Sequence, residues 1–351
     1  MSRLLVAFVL TALILPALPA ADPPPRFVIE ERDTQRVVAE LTYDVACPKL
    51  TVAKWLVFVP VAPELPGQTK LKTTLSPKGE PVADLSKQAR PLLVARVPAD
   101  TPARKTALPI KVTYEASLRS RTLKPLVGPP PTVPPLSARD RTNYTADSDT
   151  INWKTDALQV WMDEAKYRRQ PKEGEVEFAR RVFLGLTDTF KYGFDPKAET
   201  KASAVCRSEK ADCGGLSVLF TAVMRANGVP ARVRYGRWAK SAKPDEKLDG
   251  HQYLQWHVKA EFYAAGVGWV PVDLAMSLGF TRPADRLTQF GKDDGTFLTL
   301  HVDPVLVVDA GPFGKQTVAL MQRPVWWVTG DGKADPTTED EGWTVRAVKG
   351  R

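Results

Sequence analysis

The sequence predicts an α+β protein in which one helix packs on an antiparallel sheet and a small β-sandwich precedes that core. Three observations carry this. Leu216, Leu219, Phe220, Val223 and Met224 recur at i, i+3, i+4, i+7 and i+8, the stripe of a helix buried on one face. Residues 256–263 alternate, with Val258, Ala260 and Phe262 facing one way and His257, Lys259 and Glu261 the other, as in a half-buried strand; after Gly266-Val267-Gly268 the stretch 269–273 returns as its partner. Between residues 26 and 122, apolar and β-branched runs are broken by turn residues, the pattern of a sandwich.

In chain order, residues 1–21 have a basic start at Arg3, an apolar run from Leu4 to Leu15 and small residues at Ala17, Ala20 and Ala21. This is the form of a cleavable secretory signal, and the run is too short to span a bilayer comfortably. The chain is therefore expected to be exported, periplasmic or secreted, without stable membrane insertion after cleavage. Residues 22–122 form the β-sandwich, with strands expected at 26–31, 36–45, 56–61, 92–97 and 110–118. The proline-rich stretch 123–150 reads as a stiff linker or strap.

The core, 151–290, begins with helices expected from Ile151 to Tyr167 and from Glu175 to Phe190, the second with Val176, Ala179, Val182 and Leu186 inward. The third helix has Asp212 as its N-cap, and Gly228 and Pro230 as its stop. The charged stretch from Lys240 to Gly250 reads as a loop bordering a cleft. Residues 291–351 are expected to be a β-rich C-terminal extension with strands at 297–302, 305–309, 317–320 and 325–329. In it, Trp326 and Trp327 either pack back on the core or line an acyl-donor groove.

The chemistry centres on Cys213. It falls in the first helical turn, where unpaired amides and the helix dipole favour the nucleophilic thiolate, and Gly214 and Gly215 leave room for a substrate backbone. Three histidines are available, His251, His257 and His301. A hairpin turn centred on Ala265 sets His257 directly opposite Asp273, and a slip of two residues would still leave them neighbours on one face. Nucleophile, base and orienter thus follow in order, with the Cys213 amide in an oxyanion hole. His251 and His301 read as surface or structural residues. A zinc site from Cys206, Cys213, His251 and His257 is disfavoured by a cysteine spacing wider than usual for structural zinc. For Cys47 and Cys206 three options stand: a bridge between them, a redox latch of Cys206 on Cys213, or all thiols reduced.

Composition agrees with a globular protein, 43% hydrophobic and 25% charged, and the length suits two domains or a core with an extension. The net charge of +9 is dispersed among acids rather than concentrated, which argues against nucleic acid and leaves anionic envelope polymers or acidic proteins as partners.

Asp212-Cys213, the run from Met224 to Val233, and Gly268-Trp269-Val270-Pro271-Val272-Asp273 resemble the core motifs of the transglutaminase-like superfamily of papain-type cysteine enzymes, in its bacterial exported type. The resemblance covers roughly residues 172–280. It implies a cysteine helix on an antiparallel sheet and acyl transfer from an amide through a thioester, with Cys213, His257 and Asp273 as the catalytic residues. An aromatic oxyanion donor upstream is also implied, for which Tyr192 is the candidate. No cofactor or metal is implied, and the substrate is a protein or peptide, with water (peptidase or amidase) or a lysine amine (cross-linker) as acceptor. Three departures stand out: Ala211 where glycine is frequent, Leu274-Ala275 where proline is frequent, and Lys259 where an aromatic is frequent, which alters the cleft wall or the substrate. The competing reading is a catalytically inactive binding or scaffold protein that keeps the fold.

Overall fold

The computed structural model describes residues 26–195 and 197–348. The segment read as a secretory signal lies outside them. Among the described residues no helix is long and apolar enough to cross a membrane.

The N-terminal β unit is two packed antiparallel sheets. In the first, Phe27–Ala46 lies between Ala107–Pro125 and Thr338–Val348, and Gln68–Ser76 and the short Lys292–Asp293 both add to Ala107–Pro125. In the second, Leu50–Pro60 lies between Val325–Gly332 and Pro91–Pro98, with Glu80–Ala83 beyond. Period-two alternation explains the packing. Val37, Ala39, Leu41, Tyr43 and Val45 all point inward and meet Trp55, Val57, Val59 and Trp343 in one core. Leu306–Asp309 and Lys315–Val318 pair with each other, and their apolar residues join Leu56, Phe58, Leu92 and Val94 in a second core.

The stretch 291–351, expected as a C-terminal extension, is distributed over the molecule instead. It supplies an edge strand to each sheet of the sandwich, covers one of them, and gives the core its fourth strand, Phe297–Val302. Trp326 and Trp327 meet Trp55 and Phe58 edge to face at 6.0 and 5.9 Å, so they pack in the sandwich. Cys47 sits in the sandwich core and Cys206 in the core under the cysteine helix, and all three cysteines are free thiols. Of the three options the Cys47–Cys206 bridge is absent, because the two belong to separate cores.

The second unit is a four-stranded antiparallel sheet in the order Gly268–Val272, Trp256–Ala264, Ala231–Trp238, Phe297–Val302. Cys213–Ala226 packs across one face, with Leu219, Phe220 and Val223 in one core with Val258, Ala260 and Phe262. Glu175–Thr189 flanks it, burying Val176, Ala179, Val182 and Leu186 as its spacing predicts. Asp156–Glu164 is shorter than the 151–167 expectation, because the residues before it form turns, one of them held by the Thr155 hydroxyl, which donates to the Asn152 carbonyl at 3.0 Å. Residues 126–137 run as a strap over this unit, tied by the Tyr263 hydroxyl, which donates to the Pro134 carbonyl at 2.8 Å. The edge strand Phe297–Val302 joins this sheet to the sandwich: Leu298 and Leu300 enter the sandwich core, and Gln68 hydrogen-bonds both backbone groups of Thr299.

Candidate active site

Asp212 begins the cysteine helix by accepting the Gly215 amide on Oδ1 at 2.7 Å, as an N-cap should. Gly228 ends the helix at φ +73°, a conformation glycine adopts without strain. Cys213 therefore occupies the first turn, half-buried. The expectation of a ready thiolate fails, because burial and the Asp212 carboxylate push the Cys213 thiol well above its ordinary range, against the smaller opposing pull of the Val258 and Gly214 amides. The two glycines have different reasons. A side chain at Gly215 would press on Ala211 and Val205, so that glycine serves packing, while Gly214 lines the cleft.

The hairpin that carries the other two residues has its turn at Gly266, not Ala265. Ala264 pairs with Gly268 and Ala260 with Val272, so continuing the ladder brings Asp273 level with Lys259. The slip is two residues, side-chain parity is kept, and the His257 ring reaches Asp273 diagonally, Nε2 to Oδ2 at 2.8 Å. Asp273 is doubly committed: Oδ1 accepts the Met276 amide at 3.1 Å, capping Leu274–Ser277. Burial alone would raise this carboxyl, but His257, the hydrogen bond to it and Lys259 outweigh burial and hold it below its usual range. With Nε2 committed, Nδ1 is the ring nitrogen left for another partner.

Cys213 and His257 line one cavity of about 440 Å³, together with Tyr192, Phe194, Tyr253 and Trp256. Tyr192, the oxyanion candidate, lines the same cavity; burial and then the nearby Cys213 sulfur raise its hydroxyl, which keeps it protonated. The 240–250 loop borders the cavity through Leu248, and a small ribbon, Lys247–Leu248 with His251–Gln252, extends over it. That ribbon grips the far wall: the Phe194 amide donates to Asp249 at 2.9 Å and the His251 ring meets Phe194 edge to face. His301 is structural, stacked on Tyr235 at 4.8 Å and accepting the Met321 amide on Nε2.

The histidine strand is not half-buried, since its polar face is closed as completely as its apolar one. Glu261 is wholly buried among Arg232, which donates at 2.6 Å, Arg234 at 3.7 Å and Arg121 at 3.4 Å. Arg121 comes from the sandwich and also donates to the Trp269 carbonyl. Lys259 does not line the cavity. It lies beneath His257, its ammonium 3.7 Å from Asp273 Oδ2 and 3.8 Å from Asp293.

Sequence reasoning missed two supports of the imidazole. Trp238 stacks on His257 at 4.6 Å, and Gln322 donates to the carbonyls of His257 and Gly236. Trp238, at the end of the arginine-rich strand Ala231–Trp238, carried a weak aromatic signal; Gln322 carried none, because its role depends on a distant segment folding back.

A family model described as the transglutaminase-like superfamily matches residues 163–274, a span that contains Cys213, His257 and Asp273. A protein of uncharacterised function from Haemophilus influenzae is 38% identical over 96 residues, 24% of this chain and 26% of that one, so the chain matches about a quarter of that relative's length. The crystal structure of a candidate cysteine protease from Cytophaga hutchinsonii superposes with a TM-score of 0.55 at 11% identity, covering 92% of this chain and 94% of that one. By the family match and by the shared fold, the chain carries a core of the transglutaminase-like superfamily over residues 163–274.

Proposed function

We propose that the protein is an exported cysteine enzyme that opens amide bonds of protein or peptide substrates through a thioester. One observation carries the reading: His257, paired with the buried Asp273 at 2.8 Å, stands on the wall of the same cavity as Cys213 at its helix N-terminus. In the proposed cycle His257 Nδ1 takes the Cys213 proton as the sulfur attacks the carbonyl carbon, and Asp273 holds the Nε2–H. The Cys213 amide and the Tyr192 hydroxyl donate to the developing oxyanion. The imidazolium then protonates the leaving amine, and Nδ1 deprotonates the acceptor, water or an amine, which attacks the thioester and restores the thiol. The raised thiol fits this sequence, since proton transfer to His257 accompanies attack instead of preceding it.

The same raised thiol also favours a second reading, a retained fold that binds without turnover. Incubating the protein with a peptide pool and dansylcadaverine separates the two. New peptide N-termini report hydrolysis and dansyl incorporation reports amine transfer, and either must vanish in Cys213→Ala. Absence of both, together with iodoacetamide labelling of Cys213 that is unaffected by His257→Ala, leaves the binding reading.

A further inference from the structure

Lys259 is the departure from the family pattern that the cleft does not explain. Its side chain is buried, yet the ammonium is held by two carboxylates and by two rings, Trp238 at 4.6 Å and Phe297 at 5.1 Å. Trp238 is the ring stacked on His257, and Phe297 meets His257 edge to face at 5.9 Å. Lys259 therefore touches Asp273, Trp238 and Phe297, three side chains that contact the imidazole ring, and it approaches the same Asp273 oxygen that receives His257 Nε2. Asp293, on its other side, is anchored by Arg234 at 3.0 Å and by the Gly295 amide. From Asp293 the network continues through Arg234 to Glu261 and to Arg121 of the sandwich.

Resting on the proposed function, we infer that Lys259 is a positioning residue that shares Asp273 with His257 and thereby biases the imidazole toward its neutral, proton-accepting form. A cation on the shared carboxylate offsets part of the charge that would otherwise favour imidazolium. The other titratable and charged groups around the ring are Asp212 and Cys213 from the helix, Tyr192, His251, Tyr253 and Arg323 across the cavity, and Arg234 and Asp293 behind Lys259. Among these, Lys259 is the cation that contacts Asp273 directly.

The sign does not depend on the proton's resting place. Removing a positive charge beside the pair favours protonation of either partner, so thiol reactivity must set in at higher pH. The test is the pH dependence of iodoacetamide labelling at Cys213 in the intact protein, followed by mass spectrometry, with the titration of the His257 ring nitrogens followed by NMR. In Lys259→Met, whose chain fills the same aromatic slot, both midpoints should move alkaline by about one pH unit. Lys259→Arg keeps the cation and should hold both within a few tenths of the wild type. A folded Lys259→Met whose midpoints match the wild type overturns the inference and leaves the proposed function standing. If His257→Ala does not change wild-type labelling, the proposed function fails and the role of Lys259 falls with it.

Discussion

On one face of the Trp256–Ala264 strand, Val258, Ala260 and Phe262 pack in the core of the cysteine helix; on the other, His257, Lys259 and Glu261 are set among arginines, carboxylates and rings. Both faces are closed to solvent. Alternation in sequence thus identified two environments but not which one was wet. A charged face is stable in the interior only when each charge is paired, and here Arg121, Arg232, Arg234 and Lys259 meet Glu261, Asp273 and Asp293. The apolar face holds the helix that carries Cys213, the proposed nucleophile. The charged face holds His257, the proposed base, and it is continuous with the sandwich through Arg121.

The largest effect that separates the faces is chemical. His257→Ala should reduce Cys213-dependent turnover, or labelling at neutral pH, on the order of a thousandfold, while conservative changes on the apolar face away from the cavity, such as Phe262→Leu, leave the pH profile in place. Next comes stability, where the faces should cost alike for different reasons. Glu261→Ala strands three buried arginines and should cost about 3–5 kcal/mol in urea unfolding. Phe262→Ala empties a space between Phe220 and Phe290, packed at 6.3 and 6.0 Å, and should cost about 3–5 kcal/mol as well.

A pH series then distinguishes them. Burial opposes ionisation of Asp293, but Lys259 and Arg234 pull its carboxyl down to about 2 from an ordinary 3.8. A folded value below the unfolded one means the stabilisation is complete above the unfolded value and is lost as pH falls through about 2. Asp293→Asn should flatten that part of the stability curve, and Phe262→Ala should lower the whole curve without changing its shape. His301, pushed down to about 3 by burial and by Arg90, loses stability over a wider window starting at 6.5, so the comparison is made between variants and not on the wild type alone. The smallest effect is at the strand end: Tyr263→Phe releases one hydrogen bond to the strap and should cost about 1 kcal/mol, read as increased proteolysis near Pro134.

The cysteine helix and the hairpin were legible because their signals are local and periodic, and an Asp N-cap and a Gly stop bound the helix. The His257–Asp273 pairing survived a wrong turn centre because parity is conserved under a slip of two. What failed was what depends on distant chain. The thiolate expectation used only the helix dipole, and burial with Asp212 reversed it. Gln68–Ser76 and Thr338–Val348 went unread as strands because edge positions tolerate polar residues, so their sequences lack an apolar majority. The extension reading of 291–351 failed for the same reason, since nothing in a strand's own residues names its partner.

That distribution of the C-terminal strands sets a timetable. Phe27–Ala46 and Leu50–Pro60 each wait for a neighbour that is made much later in the chain. Until then the nascent chain holds two unpaired ladders of amides and carbonyls, and a premature stop before residue 325 would deliver a product with an open edge on both sheets. Synthesis of Val325–Gly332 and Thr338–Val348 thus closes both sheets, because a chain stopped short of them exposes the surfaces that proteases and aggregates recognise.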